Sequence, residues 1–187
     1  MSYYADMVFY PVLIVGFMII EARANGPSLL VWMTACLLGI SFWTLVEYML
    51  HRFVLHKLPG IAQLHDRHHV RPSAFVGTPV WISFIAWLIV FLLLWRISDF
   101  EIASGGLSGL ILGYVWYLLV HDAVHRWPLK QDSWLLKVRR RHLLHHHHSD
   151  RTGNFGVSTG FWDAVFKTEI SRKPSAFGAA ASDLFDR

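Results

Sequence analysis

The sequence predicts an all-α integral membrane protein with about four transmembrane helices and a cytoplasmic cap of short helices lined by histidines. Three observations lead to this fold class. Hydrophobic residues make up 54% of the 187 residues and charged residues only 16%, whereas a soluble domain has roughly 25% charged residues. Four charge-poor runs approach the length of a membrane span, and every histidine lies after the second or the fourth of them. We therefore treat residues 1–187 as one membrane domain.

The four apolar runs, of 14, 22, 16 and 19 residues, cover positions 7–20, 29–50, 80–95 and 102–120. A bilayer core needs about 20 helical residues, with a lower limit near 17. The second and fourth runs are long enough by themselves, and the first and third span only if their flanking residues reach the interface. Boundary signals agree with these limits: Ser28 is an expected N-cap, Pro79 suits the first position of the third helix, and Pro128 ends the fourth.

Three glycines recur every fourth residue along the last run, at Gly105, Gly109 and Gly113. Small residues at this spacing allow two helices to approach closely in lipid. We interpret them as a packing surface rather than as part of a catalytic site.

The distribution of positive charge predicts the orientation in the membrane. Of the 17 Lys and Arg residues, 4 lie in 51–78 and 11 lie from 121 to the end, and only Arg23 and Arg96 lie elsewhere. Basic loops stay in the cytoplasm, so we expect both termini and all the histidines on the cytoplasmic side. The net charge of +4 in so apolar a chain suits anionic lipid headgroups, and no motif for nucleic-acid binding is present.

The histidines form four groups with helical spacing, and ten of them are candidate metal ligands: His51, His56, His65, His68, His69, His121, His125, His142, His145 and His146. Residues at i, i+3 and i+4 share one face of a helix. We therefore expect each His-x2-His-His triplet, and the pair His121 and His125, to converge on a single point. His51 and His56 are five residues apart and converge only if the second helix frays or bends after Leu50.

Ten imidazoles exceed the capacity of one ion, so the sequence predicts two metal ions. Neutral imidazole suits Fe, Zn, Cu and Ni, and its affinity does not favour Fe over Zn, so the isolated protein can carry zinc even where iron is the working metal. A membrane metal-binding or transport protein is the alternative outside enzymes. A transporter places its ligands near the bilayer midplane, whereas these histidines lie at the ends of the predicted spans, which favours an enzyme.

The four histidine groups, in this order, resemble the fatty acid hydroxylase/sterol desaturase superfamily, and the stretch from Asn154 to Phe166 is similar to its C-terminal signature. The resemblance covers about residues 47–168, which we take as the catalytic region. It implies a non-haem di-iron site that uses O2 as co-substrate to hydroxylate or desaturate a fatty acyl chain, sphingolipid or sterol-like lipid. It also implies a separate electron-donor protein as a partner. A lipid desaturase and a carotenoid hydroxylase remain alternatives, although carotenoid hydroxylases have one more residue between the histidines that correspond to His121 and His125.

Three polar residues are candidates for supporting roles at this catalytic site: Glu47, Asp122 and Asn154. Glu47 lies four residues before His51, on the same helix face, where its carboxylate can accept the second ring N–H of a ligand. A solvated glutamate at the membrane interface is the alternative. Asp122, like Asp66, is adjacent to a candidate ligand, and Asn154 suits a turn before Gly156.

A further helix is expected after Ser133, which suits its N-cap. Its basic residues suit lipid headgroups or an acidic electron donor. On this helix His147 and His148 should point away from the metals unless the helix ends at His146, because they are five and six residues beyond His142.

Overall fold

The structure is a computed structural model that describes residues 4–24, 28–74, 79–147 and 153–170. The described residues form helices and loops and contain no β-strand. In chain order the helices are α1 (Ala5–Arg23), α2 (Ser28–Met49), a π-helix (Leu50–Leu55), α3 (Ile61–Val70), α4 (Val80–Ile97), α5 (Phe100–Arg126), α6 (Trp134–His147) and α7 (Phe161–Val165).

Four of these helices are long and apolar enough to cross a membrane: α1, α2 with its π-helical extension, α4 and α5. The predicted all-α membrane fold is confirmed. The first and third spans reach 19 and 18 residues because their flanking residues are helical. Two boundary predictions shift by one position. Ser28 is already helical, and Pro79 is the N-cap of α4 because its ψ of 135° is extended rather than helical.

The bundle is organised around α5, which packs against α1, α2 and α4. The predicted glycine surface faces α2. A Cβ at Gly105 would overlap the Trp32 carbonyl, and a Cβ at Gly109 would overlap that of Cys36. The two backbones are therefore closer than any side chain at these positions would allow, as the small-residue spacing predicted.

Polar contacts fix α1 to the rest of the bundle. The hydroxyl of Tyr114 on α5 donates to Asp6 over 2.8 Å, and the hydroxyl of Tyr10 donates to Ser83 on α4, also over 2.8 Å. Buried polar groups in lipid require such partners, because no water is present to replace them.

The end of α2 widens into the π-helix instead of fraying or bending. In a π-helix the backbone hydrogen bonds run from residue i to i+5, so residues five apart lie nearly above one another. His51 and His56 consequently stack, with ring centroids 5.0 Å apart. Gly60 then turns the chain into α3 with a φ of +85°, a left-handed conformation that glycine adopts without a steric penalty.

Candidate metal centre

Two clusters of five histidines lie beside each other where α2 and α5 end, and together they contain all ten candidate ligands. Within each cluster one ring nitrogen from every histidine lies within 4.8 Å of the others. Cluster 1 consists of His51, His56, His65, His69 and His145. Cluster 2 consists of His68, His121, His125, His142 and His146.

Each triplet is divided between the two clusters, so the prediction that a triplet converges on one point is wrong. His65 and His69 belong to cluster 1, whereas His68 between them belongs to cluster 2. Residues i and i+4 differ by about 40° around a helix, but i+3 lies about 60° away on the other side. The second triplet divides in the same way and contributes His145 to cluster 1. Each half of the chain thus gives one histidine to the other half's cluster.

Backbone carbonyls determine the tautomers of two cluster 1 histidines. Nδ1 of His51 is hydrogen-bonded to the Phe155 carbonyl, and Nδ1 of His145 to the Gly153 carbonyl at 2.8 Å. A carbonyl only accepts, so Nδ1 must carry the proton in both rings. The lone pair is then on Nε2, which is the nitrogen directed at the other rings of the cluster.

The distances between Nε2 atoms fit metal ligands. Five pairs of Nε2 atoms lie between 2.9 and 3.1 Å apart, three in cluster 1 and two in cluster 2. Nitrogen ligands about 2.0–2.1 Å from an ion and about 90° apart lie about 2.9 Å from each other. In cluster 2, Nε2 of His68 and of His121 is buried without a hydrogen-bond partner among the described residues. Converging buried lone pairs of this kind are compensated by a cation, so the donor set fits one ion in each cluster.

The surroundings keep these rings neutral. Burial, together with the charges of neighbouring groups, lowers the pKa of His68 to about 4. Burial also lowers the pKa values of His65, His142 and His146, and repulsion from the other rings adds to the effect. Neutral imidazole is the form that binds metal, so the lowered pKa values of these four rings favour the metal-binding form.

Two buried carboxylates accept hydrogen bonds from the loop that supplies the carbonyls of Gly153 and Phe155. Asp163 on α7 is 0% exposed and accepts the N–H groups of Phe155 and Gly156, each over 2.9 Å. Its Oδ1 also accepts the Thr168 hydroxyl over 2.8 Å. This short helix therefore fixes the position of the carbonyl that contacts His51.

Glu47 is the second carboxylate, and its role differs from the predicted one. It accepts the N–H groups of Val157 and Ser158 over 2.7 and 2.8 Å, and the Ser158 hydroxyl as well. No hydrogen bond joins it to His51 in the described structure, because the Phe155 carbonyl occupies that position. The interfacial alternative is also wrong, since Glu47 is only 3% exposed.

Asp122 and Asn154 both form hydrogen bonds close to the clusters. Asp122 accepts the Trp127 indole N–H over 2.9 Å and pairs with Arg126. Asn154 has a φ of +55°, the left-handed conformation that asparagine tolerates, but residues 154–156 form no hydrogen-bonded turn, so the predicted turn is not found there. Its side chain bonds both the N–H and the carbonyl of Ile170.

The remaining polar candidates lie at the surface or outside the described chain. Asp66 and His147 are exposed, and His147 belongs to neither cluster, as its predicted orientation requires. The prediction for His148 lies outside the described residues. Ser133 caps α6 as predicted, since its hydroxyl accepts the Leu136 N–H over 3.2 Å.

Sequence reasoning missed Asp163 and the carbonyls of Gly153 and Phe155. The sequence cannot show which backbone carbonyl will bind a histidine, because every residue has one. Arg139 is one of the basic residues of α6, for which the sequence suggests lipid headgroups or an electron donor as partners. In the structure it donates to the carbonyls of Val124 and Ala123 and so joins α6 to the end of α5.

Comparison with known proteins agrees with this site. The family model described as fatty acid hydroxylase matches residues 36–168. The chain belongs to the fatty acid hydroxylase family. It is 36% identical to the fatty acid 2-hydroxylase of Rattus norvegicus over an alignment of 147 positions that covers 71% of this chain and 38% of that protein. It is 30% identical to the ceramide very long chain fatty acid hydroxylase of Schizosaccharomyces pombe over an alignment of 189 positions that covers 89% of this chain and 50% of that one.

Among solved structures, this family member resembles full-length scs7p, of which only the hydroxylase domain is visible. The TM-score is 0.80 at 27% identity, over 94% of this chain and 69% of that one. The chain spans about two fifths to one half of the length of the relatives named above.

Proposed function

We propose that this protein is a membrane-bound hydroxylase that inserts oxygen from O2 into a C–H bond of a lipid, with one iron ion in each cluster. The observation that carries the proposal is the pair of five-histidine clusters at the ends of membrane-spanning helices, in a chain of the fatty acid hydroxylase family. Zinc can replace iron in the isolated protein, since histidine ligands do not select against it.

The protein's own contribution is to orient the ligands and keep them neutral. The ten histidines would hold the metals, and the loop 153–158 fixes two of the rings in the tautomer that presents Nε2. When bound, the two irons supply the capacity to activate O2.

The relatives indicate the substrate class. Their names specify the 2-position of fatty acids in one case and the very long chain fatty acids of ceramide in the other. We propose the 2-position of a fatty acyl chain, free or in a sphingolipid, as the site of hydroxylation. A separate electron-donor protein supplies the electrons, and the metal site and both termini face the cytoplasm because that side has the excess of Lys and Arg.

The test is lipid analysis of cells that express the protein under ¹⁸O2. Cells with the intact protein should accumulate 2-hydroxylated acyl chains that contain one ¹⁸O atom. His121→Ala should abolish this product, whereas His147→Ala, a change at an exposed histidine, should preserve it. Product that lacks ¹⁸O, or product that persists in His121→Ala, would contradict the proposal.

A further inference from the structure

One peptide unit joins a carboxylate to a candidate metal ligand. The carbonyl of Phe155 and the N–H of Gly156 belong to the same peptide group. That carbonyl accepts the Nδ1–H of His51, and that N–H donates to Oδ2 of Asp163 over 2.9 Å. Both His51 and Asp163 are almost completely buried, so water does not compete for these bonds.

We propose that Asp163 is a positioning residue that acts on the metal-binding nitrogen of His51 through this peptide. A hydrogen bond from N–H to a carboxylate polarises the amide and makes its carbonyl a stronger acceptor. The stronger acceptor draws the Nδ1 proton of His51 and increases the electron density on Nε2. Metal-binding histidines are commonly backed by a carboxylate directly, and here a peptide lies between the two.

The neighbouring contacts provide internal comparisons. His145 donates to the Gly153 carbonyl, whose peptide N–H, that of Asn154, is bound to the neutral Thr168 carbonyl over 2.9 Å. His145 therefore has the same type of backbone acceptor without a carboxylate behind it. In cluster 2, Nδ1 of His142 and of His146 is buried with no hydrogen-bond partner among the residues described.

Glu47 is the matched control for Asp163. Both carboxylates are buried and both accept two backbone N–H groups of the same loop. The N–H groups bound by Glu47 share their peptides with the carbonyls of Gly156 and Val157, and neither carbonyl is hydrogen-bonded to a histidine within the described ranges. The Gly156 carbonyl instead accepts a bond from Arg141. Loss of either charge should loosen the loop, but only loss of Asp163 should change His51 selectively.

The experiment uses the Zn²⁺-loaded full-length protein with ¹⁵N-labelled histidine, and compares Asp163→Asn with Glu47→Gln by NMR. The inference rests on the proposed metal site but not on hydroxylase activity. Asp163→Asn should shift the Nδ1 resonance of His51 towards a weaker hydrogen bond and leave that of His145 in place. It should also weaken Zn²⁺ binding at one of two sites by about tenfold, the lower end of the effect of losing a carboxylate partner.

Equal shifts of His51 and His145, an equal shift of His51 in Glu47→Gln, or no shift would each overturn the inference. If Asp163→Asn does not fold, the wild-type spectrum decides. There the Nδ1 proton of His51 should resonate further downfield than that of His145, and the opposite order would overturn the proposal. Failure of the wild-type protein to bind Zn²⁺ would instead contradict the metal site itself.

Discussion

At the scale of single residues, the two histidines that cross between halves of the chain define the centre. His68 and His145 each occupy the third position after the first histidine of a triplet, and each joins the cluster built mainly by the other half. Neither cluster is complete without a residue from the other half. The two ions should therefore depend on correct packing between α3 and α6 as well as on the ligands themselves.

Pairs of alanine substitutions test this division. His65→Ala with His68→Ala removes one ligand from each cluster, and we expect it to cost both ions. His125→Ala with His68→Ala removes two ligands from cluster 2 only, and we expect one ion to remain. Elemental analysis of the purified proteins measures this, with His147→Ala as the control that retains both. Retention of one ion after loss of His65 and His68 would show that the triplet converges on a single metal.

At the scale of the elements, the helices and the set of converging histidines were predictable, but the local geometry was not. Spacings of three and four residues predicted that the histidines share a helix face. Whether His68 belongs to cluster 1 or cluster 2 depends on the angle of about 60° between it and His65 around the helix. This angle matters only when two sites lie close together. The sequence indicated a break in the helix after Leu50. The π-helix that replaces the break is set by tertiary packing, which brings His51 beneath the Phe155 carbonyl.

The close contact between α2 and α5 yields a stability prediction. Gly109→Ala would place a methyl group into the backbone of Cys36, and we expect a cost of about 1–3 kcal/mol from overpacking, partly offset by the helix propensity of alanine. Gly106→Ala is the matched control, because its methyl group meets only a Leu94 side-chain carbon at 3.9 Å. Thermal unfolding in detergent should show a lower Tm for Gly109→Ala alone. Equal Tm values would mean that the two helices are not packed this closely.

At the scale of the whole molecule, composition predicted the architecture because the bilayer imposes a length and a polarity on each span. The proposed orientation comes instead from the distribution of charge, because Lys and Arg are in excess on the side of the histidines. A reporter fused after Arg187 should be active only in the cytoplasm, because 15 of the 17 basic residues lie in the segments on that side. A fusion after Arg96, between the third and fourth spans, should give the opposite result. Reversed activities would overturn the proposed orientation.

The central claim is that the two clusters are two metal sites, and the number of ions per chain tests it most directly. The fusion-free protein, purified without a metal-affinity tag and shown to hydroxylate lipid, should contain two metal ions per chain by elemental analysis. Two ions are expected because each cluster brings one ring nitrogen from each of five histidines within 4.8 Å of one another, and ten imidazole ligands exceed the coordination sphere of one ion. A reproducible value of one ion per chain, or none, in fully active protein would contradict the account.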